Sequence, residues 1–183
     1  MQGCFLFIII SLSTRKEGST IHFDTKKLSR AAVIAALYAA LGILSSFLNL
    51  AYGPVQLRFS EALCVLPFLL PEAVWGLFIG CFLTNILSPF GLLDLIFGSA
   101  ATLLAALLSA RCKTRIGAAL PPIVCNAVLV GAMLAWEEAG TSASFGALFA
   151  YNALSVGAGE AVMCLLLGLP LLKILEKRGL KKR

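Results

Sequence analysis

The chain has 183 residues, of which 60% are hydrophobic and 13% charged, where soluble domains run to roughly 45–50% apolar and 25% charged. Its mean hydropathy is +0.94. Nine acidic and fifteen basic residues cannot cover the surface of a globule of this size, so a water-soluble core is excluded and the composition belongs in a lipid bilayer. The net charge of +6 does not indicate a nucleic-acid partner, because the bases fall in three clusters between apolar stretches rather than along one patterned face.

In chain order, residues 1–27 read as an N-terminal extension, disordered and without assigned function. Its apolar run from Cys4 to Leu12 is nine residues long, too short to span and with no basic residue before it. A spanning helix needs about 20 apolar residues to cross roughly 30 Å of hydrocarbon. The remainder, 28–183, is predicted to be an all-α membrane domain with helices over 28–50, 57–70, 72–89, 91–110, 117–138 and 144–173. Breaks are expected at Tyr52-Gly53-Pro54, Pro67 with Pro71, Ser88-Pro89 with Gly91, Arg111 to Arg115, and Gly140 to Ser144. Whether 57–89 is one long helix or two short ones is decided by charge. The basic clusters are Arg15 to Arg30, Arg111 to Arg115 and Lys173 to Arg183. Placing all three in the cytoplasm, as the positive-inside rule prefers, requires an even number of crossings between each pair, which four before Arg111 and two after it satisfy and a single helix over 57–89 would not. This predicts six transmembrane helices with both termini cytoplasmic.

Several chemistries are missing. The six cysteines contain no CxxC pair and the single histidine is His22, so neither a zinc site nor a disulfide framework is supported. No phosphate loop of the GxxxxGK[ST] type is present. No histidine base lies inside the helical region, so no nucleophile–base pair is visible and an enzyme is not expected.

Once the basic clusters are set aside, Arg58 is the only base left among Glu61, Glu72, Asp94, Glu137, Glu138 and Glu160. A charge at mid-membrane costs about 2.5–3.5 kcal/mol on insertion scales unless paired or wet, so a deep one marks a binding cavity. Glu72 at a turn and Glu137-Glu138 near Gly140 are read as solvated ends. Arg58 and Glu61, three apart, suit an ion pair or ligand contact equally. Glu160 follows Gly157-Ala158-Gly159 and precedes a leucine run, so its carboxylate needs a donor: Arg58, a ligand N–H, or an interhelical bond from Asn126 or Asn152. With Asn85, Asp94 and Asn126, these residues predict a polar pocket for a planar or polar solute rather than a metal ion. In helix one, Ala31, Ala35 and Ala39 form one stripe at spacing four and Ala32, Ala36 and Ala40 the next. Such stripes allow close helix approach, either within the fold or as a docking face for another subunit.

The run Tyr52-Gly53-Pro54-Val55-Gln56-Leu57-Arg58-Phe59-Ser60-Glu61-Ala62-Leu63 resembles the signature of the QueT family of queuosine precursor transporters, substrate-binding S components of energy-coupling factor (ECF) transporters. The likeness continues through Gly76 to Gly80, Asn85, Gly91-Leu92-Leu93-Asp94 with Phe97-Gly98-Ser99, Leu120-Pro121-Pro122 to Asn126, and Gly159-Glu160 to Leu171, and covers about residues 27–178. The resemblance implies a multi-pass protein of the cytoplasmic (inner) cell membrane. It also implies partnership with a transmembrane coupling subunit and two cytoplasmic ATPases, docked through the alanine-rich face. ATP is then used by the partners, with no cofactor in this chain. The implied solutes are 7-deazaguanine precursors of queuosine. Their ring N–H and exocyclic amine are parallel donors that match one carboxylate, for which Glu160 is the first candidate. Asn126, Gln56 or Arg58 would donate to the ring carbonyl and Glu61 would hold an aminomethyl ammonium, while Phe59, Phe82 and Trp75 are candidates to stack on the ring. Two alternatives stay open: an S component for another vitamin-like solute, and a standalone small-solute carrier or channel.

Overall fold

A computed structural model describes residues 24–51, 55–139 and 145–180. The expected extension up to residue 23, the Tyr52-Gly53-Pro54 break and the loop 140–144 lie outside the described residues. Six helical segments follow in order: α1 (Thr25–Phe47), α2 (Phe59–Phe68), α3 (Ala73–Asn85), α4 (Gly91–Arg111), α5 (Arg115–Ala139) and α6 (Phe145–Lys177). Among the described residues the fold is all-helical. α1, α4, α5 and α6 are long and apolar enough to cross a membrane.

α2 and α3 are shorter than the 57–70 and 72–89 expected for them. α2 winds as a ten-residue 3₁₀ helix with Pro67 inside it, and at about 2.0 Å rise per residue it reaches as far as the thirteen α-helical residues of α3 at about 1.5 Å each. Every residue from Ser60 to Phe68 is buried. A helix apolar on all sides belongs in the middle of a bundle, and there α2 needs no lipid-spanning length of its own.

The helices alternate in direction. One buried cluster joins Ile34 early in α1, Phe68 at the end of α2, Ala73 and Leu77 early in α3, Ala106 late in α4, Ala118 early in α5 and Leu172 late in α6. Arg30 bonds Glu72 at this end at 3.1 Å, and Arg115 pairs with Glu176. Glu72, expected as a solvated turn residue, is thus an ion-pair partner with its side chain 12% exposed.

Two prolines sit inside α5, where each removes an N–H from the helix ladder. The carbonyls left without a helical donor lie four residues earlier, at Gly117 and Ala118. Cys112 Sγ donates to Gly117 O at 3.1 Å and Ser109 Oγ to Ala118 O at 2.8 Å. The α4–α5 connection therefore satisfies what the prolines leave open, as a water-free bundle requires.

α1 and α3 touch through small residues. A Cβ on Gly76 would come within 2.5 Å of Ala31 O, and one on Gly80 within 2.8 Å of Ala35 O. Ala35 is buried while Ala32, Ala36 and Ala40 are exposed, so the two alanine stripes separate into an inner face against α3 and an outer one.

Candidate functional site

Past the end of α1, the chain folds back onto it. Leu50 N–H and Ala51 N–H donate to Ser45 O, Leu57 N–H to Leu50 O at 2.9 Å, and Phe59 N–H to the buried Ser45 Oγ at 2.9 Å. This pins 55–59 in an extended path that delivers Gln56 and Arg58 to the end of the bundle opposite the Arg30–Glu72 pair. α6 makes room for that path at Gly159, where a Cβ would fall 1.8 Å from Gln56 O.

Arg58 is held from behind. Its Nη2 lies 3.3 Å from Asp94 Oδ2 and its Nη1 donates to Asn85 Oδ1 at 3.5 Å, while Asn85 Nδ2 donates to Asp94 O at 3.0 Å. Asp94 opens a π-helical turn, Asp94–Gly98, a distortion that often marks functional sites. Gly98 is needed there, since a Cβ would meet both Asn85 Nδ2 and Asp94 Oδ1 at 2.7 Å.

Two further carboxylates stand on the inner side. Glu61 accepts from Tyr38 Oη at 2.5 Å and from Cys64 Sγ at 3.0 Å. Glu160 Oε1 accepts from Asn126 Nδ2, and Cys164 Sγ lies 3.7 Å from Glu160 Oε2 and 3.5 Å from Glu61 O. The interhelical amide partner is therefore Asn126, whereas Asn152 donates to Glu138 Oε2 at 2.9 Å.

Gln56, Arg58, Glu61, Asn126 and Glu160 line one cavity with a free volume of about 20 Å³, room for about one water. Asn85 and Asp94 lie behind Arg58 rather than on its wall. Gly98, Thr102, Cys81, Val130 and Val156 complete the lining and were not expected there. Tyr38 was also missed, although it shares the inner face of α1 with Ala35 at helical spacing. Trp75 and Phe82 are 61% and 42% exposed on the outer surface, so neither faces the cavity; Phe59 is half-buried. Among the described residues no group of three His, Cys, Asp or Glu side chains could hold a metal ion.

An apolar exterior of long helices around a buried polar cluster defines a multi-pass membrane protein. The family model described as "QueT transporter" matches residues 28–177, and the chain belongs to that family, whose members are small-molecule transporters rather than enzymes. A curated relative, the "Queuosine precursor transporter QueT" of Lactococcus lactis subsp. cremoris (strain MG1363), is 38% identical over 72 residues, which is 39% of this chain and 42% of the relative. No solved structure matches the chain.

Proposed function

We propose that this chain captures a 7-deazaguanine precursor of queuosine as the S component of an ECF importer in the inner cell membrane, crossing six times with both termini in the cytoplasm. The observation that carries the reading is the convergence of Arg58, Glu61 and Glu160 on one cavity in a bundle whose other buried side chains are mostly apolar. Such groups are retained in a membrane interior at a cost, and a polar solute offsets it. Glu160 offers two oxygens in one plane to a ring N–H and its neighbouring amine. Arg58 and Gln56 donate toward a ring carbonyl, and Glu61 receives a substituent ammonium. The alternation of helix ends brings the described basic residues of the three clusters, Lys26 to Arg30, Arg111 to Arg115 and Lys173 to Arg178, to one end of the bundle, in support of the six-crossing orientation. Transport is driven by ATP bound to two partner ATPases through a coupling subunit.

Equilibrium binding of the nitrile, aminomethyl and unsubstituted 7-deazaguanines to the purified chain tests this. Glu160→Gln should weaken binding of all three by at least about tenfold, the worth of one charge-assisted bond. An unchanged affinity profile would remove Glu160 from recognition. Uptake into liposomes by the chain alone, without ATPases, would instead favour a standalone carrier.

A further inference from the structure

The two oxygens of Glu160 are already engaged: Oε1 by the Asn126 carboxamide and Oε2 by the more distant Cys164 thiol at 3.7 Å. A solute presenting two adjacent N–H donors needs these same oxygens. The cavity's 20 Å³ cannot hold a fused two-ring solute either, which requires several waters' worth of space. Something beside Glu160 must move.

The backbones of α5 and α6 are poorly placed to be that part. Gly131 lets α5 approach Ala153 so closely that a Cβ would lie 2.9 Å from Ala153 Cα, and a Cβ on Gly157 would lie 3.2 Å from Ala127 Cβ. Helices seated through small residues gain from close packing and lose it on separation. A side-chain rotation of Asn126 gives up one charge-assisted hydrogen bond and leaves the helix seats intact.

We propose that Asn126 is an internal competitor of the solute: its carboxamide occupies Glu160 until a flat ligand with paired N–H donors displaces it. This rests on Glu160 being the recognition carboxylate, but it reverses the sign expected of Asn126 as a ligand contact. The closed contact satisfies a buried carboxylate and lowers the fraction of molecules ready to bind, and apparent affinity falls in proportion to that fraction. It also favours solutes able to supply both donors, since a single donor only replaces the Asn126 bond, whereas the second donor replaces the long, weak thiol contact on Oε2 with a full hydrogen bond.

The test is binding of 7-aminomethyl- and 7-cyano-7-deazaguanine to wild type, Asn126→Ala and Asn126→Ser, with rates from stopped-flow mixing. The small side chains should bind about tenfold tighter, with the gain in association rate, and the wild-type rate should level off with concentration where the variant rate keeps rising. Equal or weaker binding by both variants overturns the proposal and makes Asn126 a contact or a spectator. If wild type binds neither probe, the reading of Glu160 fails separately. The contact is then judged by labelling of Cys164, which is fully buried, with a small water-soluble maleimide localised by mass spectrometry. Faster labelling in Asn126→Ala supports a contact that closes the cavity; unchanged labelling overturns it.

Discussion

The half-buried guanidinium of Arg58 and the fully buried carboxylate of Asp94, 3.3 Å apart, form a pair whose loss of hydration is offset by mutual attraction and by the Asn85 amide, which accepts from Arg58 and donates to the Asp94 backbone carbonyl. Removing one member of a buried pair strands the other, at about 3 kcal/mol. Asp94→Asn keeps the shape and deletes the charge, so it should lower the thermal unfolding midpoint in detergent and weaken solute binding by releasing Arg58 toward the cavity carboxylates. A wild-type midpoint together with wild-type affinity would show that Asp94 does not position Arg58. The need for a partner to Arg58 was legible in the sequence, but which partner was not. Arg58 has extended backbone angles, φ −109° and ψ 112°, so the helical spacing that pointed to Glu61 does not apply at that residue. Asn85 and Asp94 meet only because the turn through Ser88 and Pro89 folds α3 back to α4.

At the scale of elements, apolar run lengths and proline–glycine breaks located six helices to within a few residues, because bilayer thickness and backbone satisfaction leave few other solutions. The 3₁₀ winding of α2, the π turn in α4 and a second π turn in α6, Met163–Gly168, left no periodic trace; they arise from tertiary fit, as at Gly168, where a Cβ would lie 3.0 Å from Ala62 O. The α1–α3 contact shows how such fit carries to the site. A Cβ on Gly80 would lie 2.7 Å from Tyr38 Cβ and 2.8 Å from Ala35 O, and Tyr38 supplies a donor to Glu61. In an open helix Gly→Ala gains up to about 1 kcal/mol, whereas overpacking costs about 1–3 kcal/mol. Gly80→Ala should therefore lower the melting temperature, while Gly146→Ala, with nothing within 4 Å of its Cβ, should hold or raise it. Equal shifts of the same sign at both positions would mean that α1 and α3 are not in close contact.

For the whole molecule, the decisive division is between surfaces turned inward and those left for lipid or a partner. Sequence spacing showed two alanine stripes on α1 but could not say which one the bundle consumes, since both are small and apolar. The structure places Ala31 and Ala35 over Gly76 and Gly80, with Ala39 half-buried, and leaves Ala32, Ala36 and Ala40 outward beside the exposed Val33 and Leu37. If α1 docks a coupling subunit, only the outer stripe is free to do so, and enlarging the two stripes must have different consequences. Ala36→Leu adds bulk where nothing in this chain resists it, so stability and solute binding should stay at wild type while co-purification with the coupling subunit and uptake fall. Ala35→Leu forces its side chain against α3 and should lower the melting temperature and binding together. Were Ala36→Leu to leave uptake and co-purification intact, the outer stripe would be a lipid surface, and docking would have to be sought at the end of the bundle where Arg30 meets Glu72 and Arg115 meets Glu176.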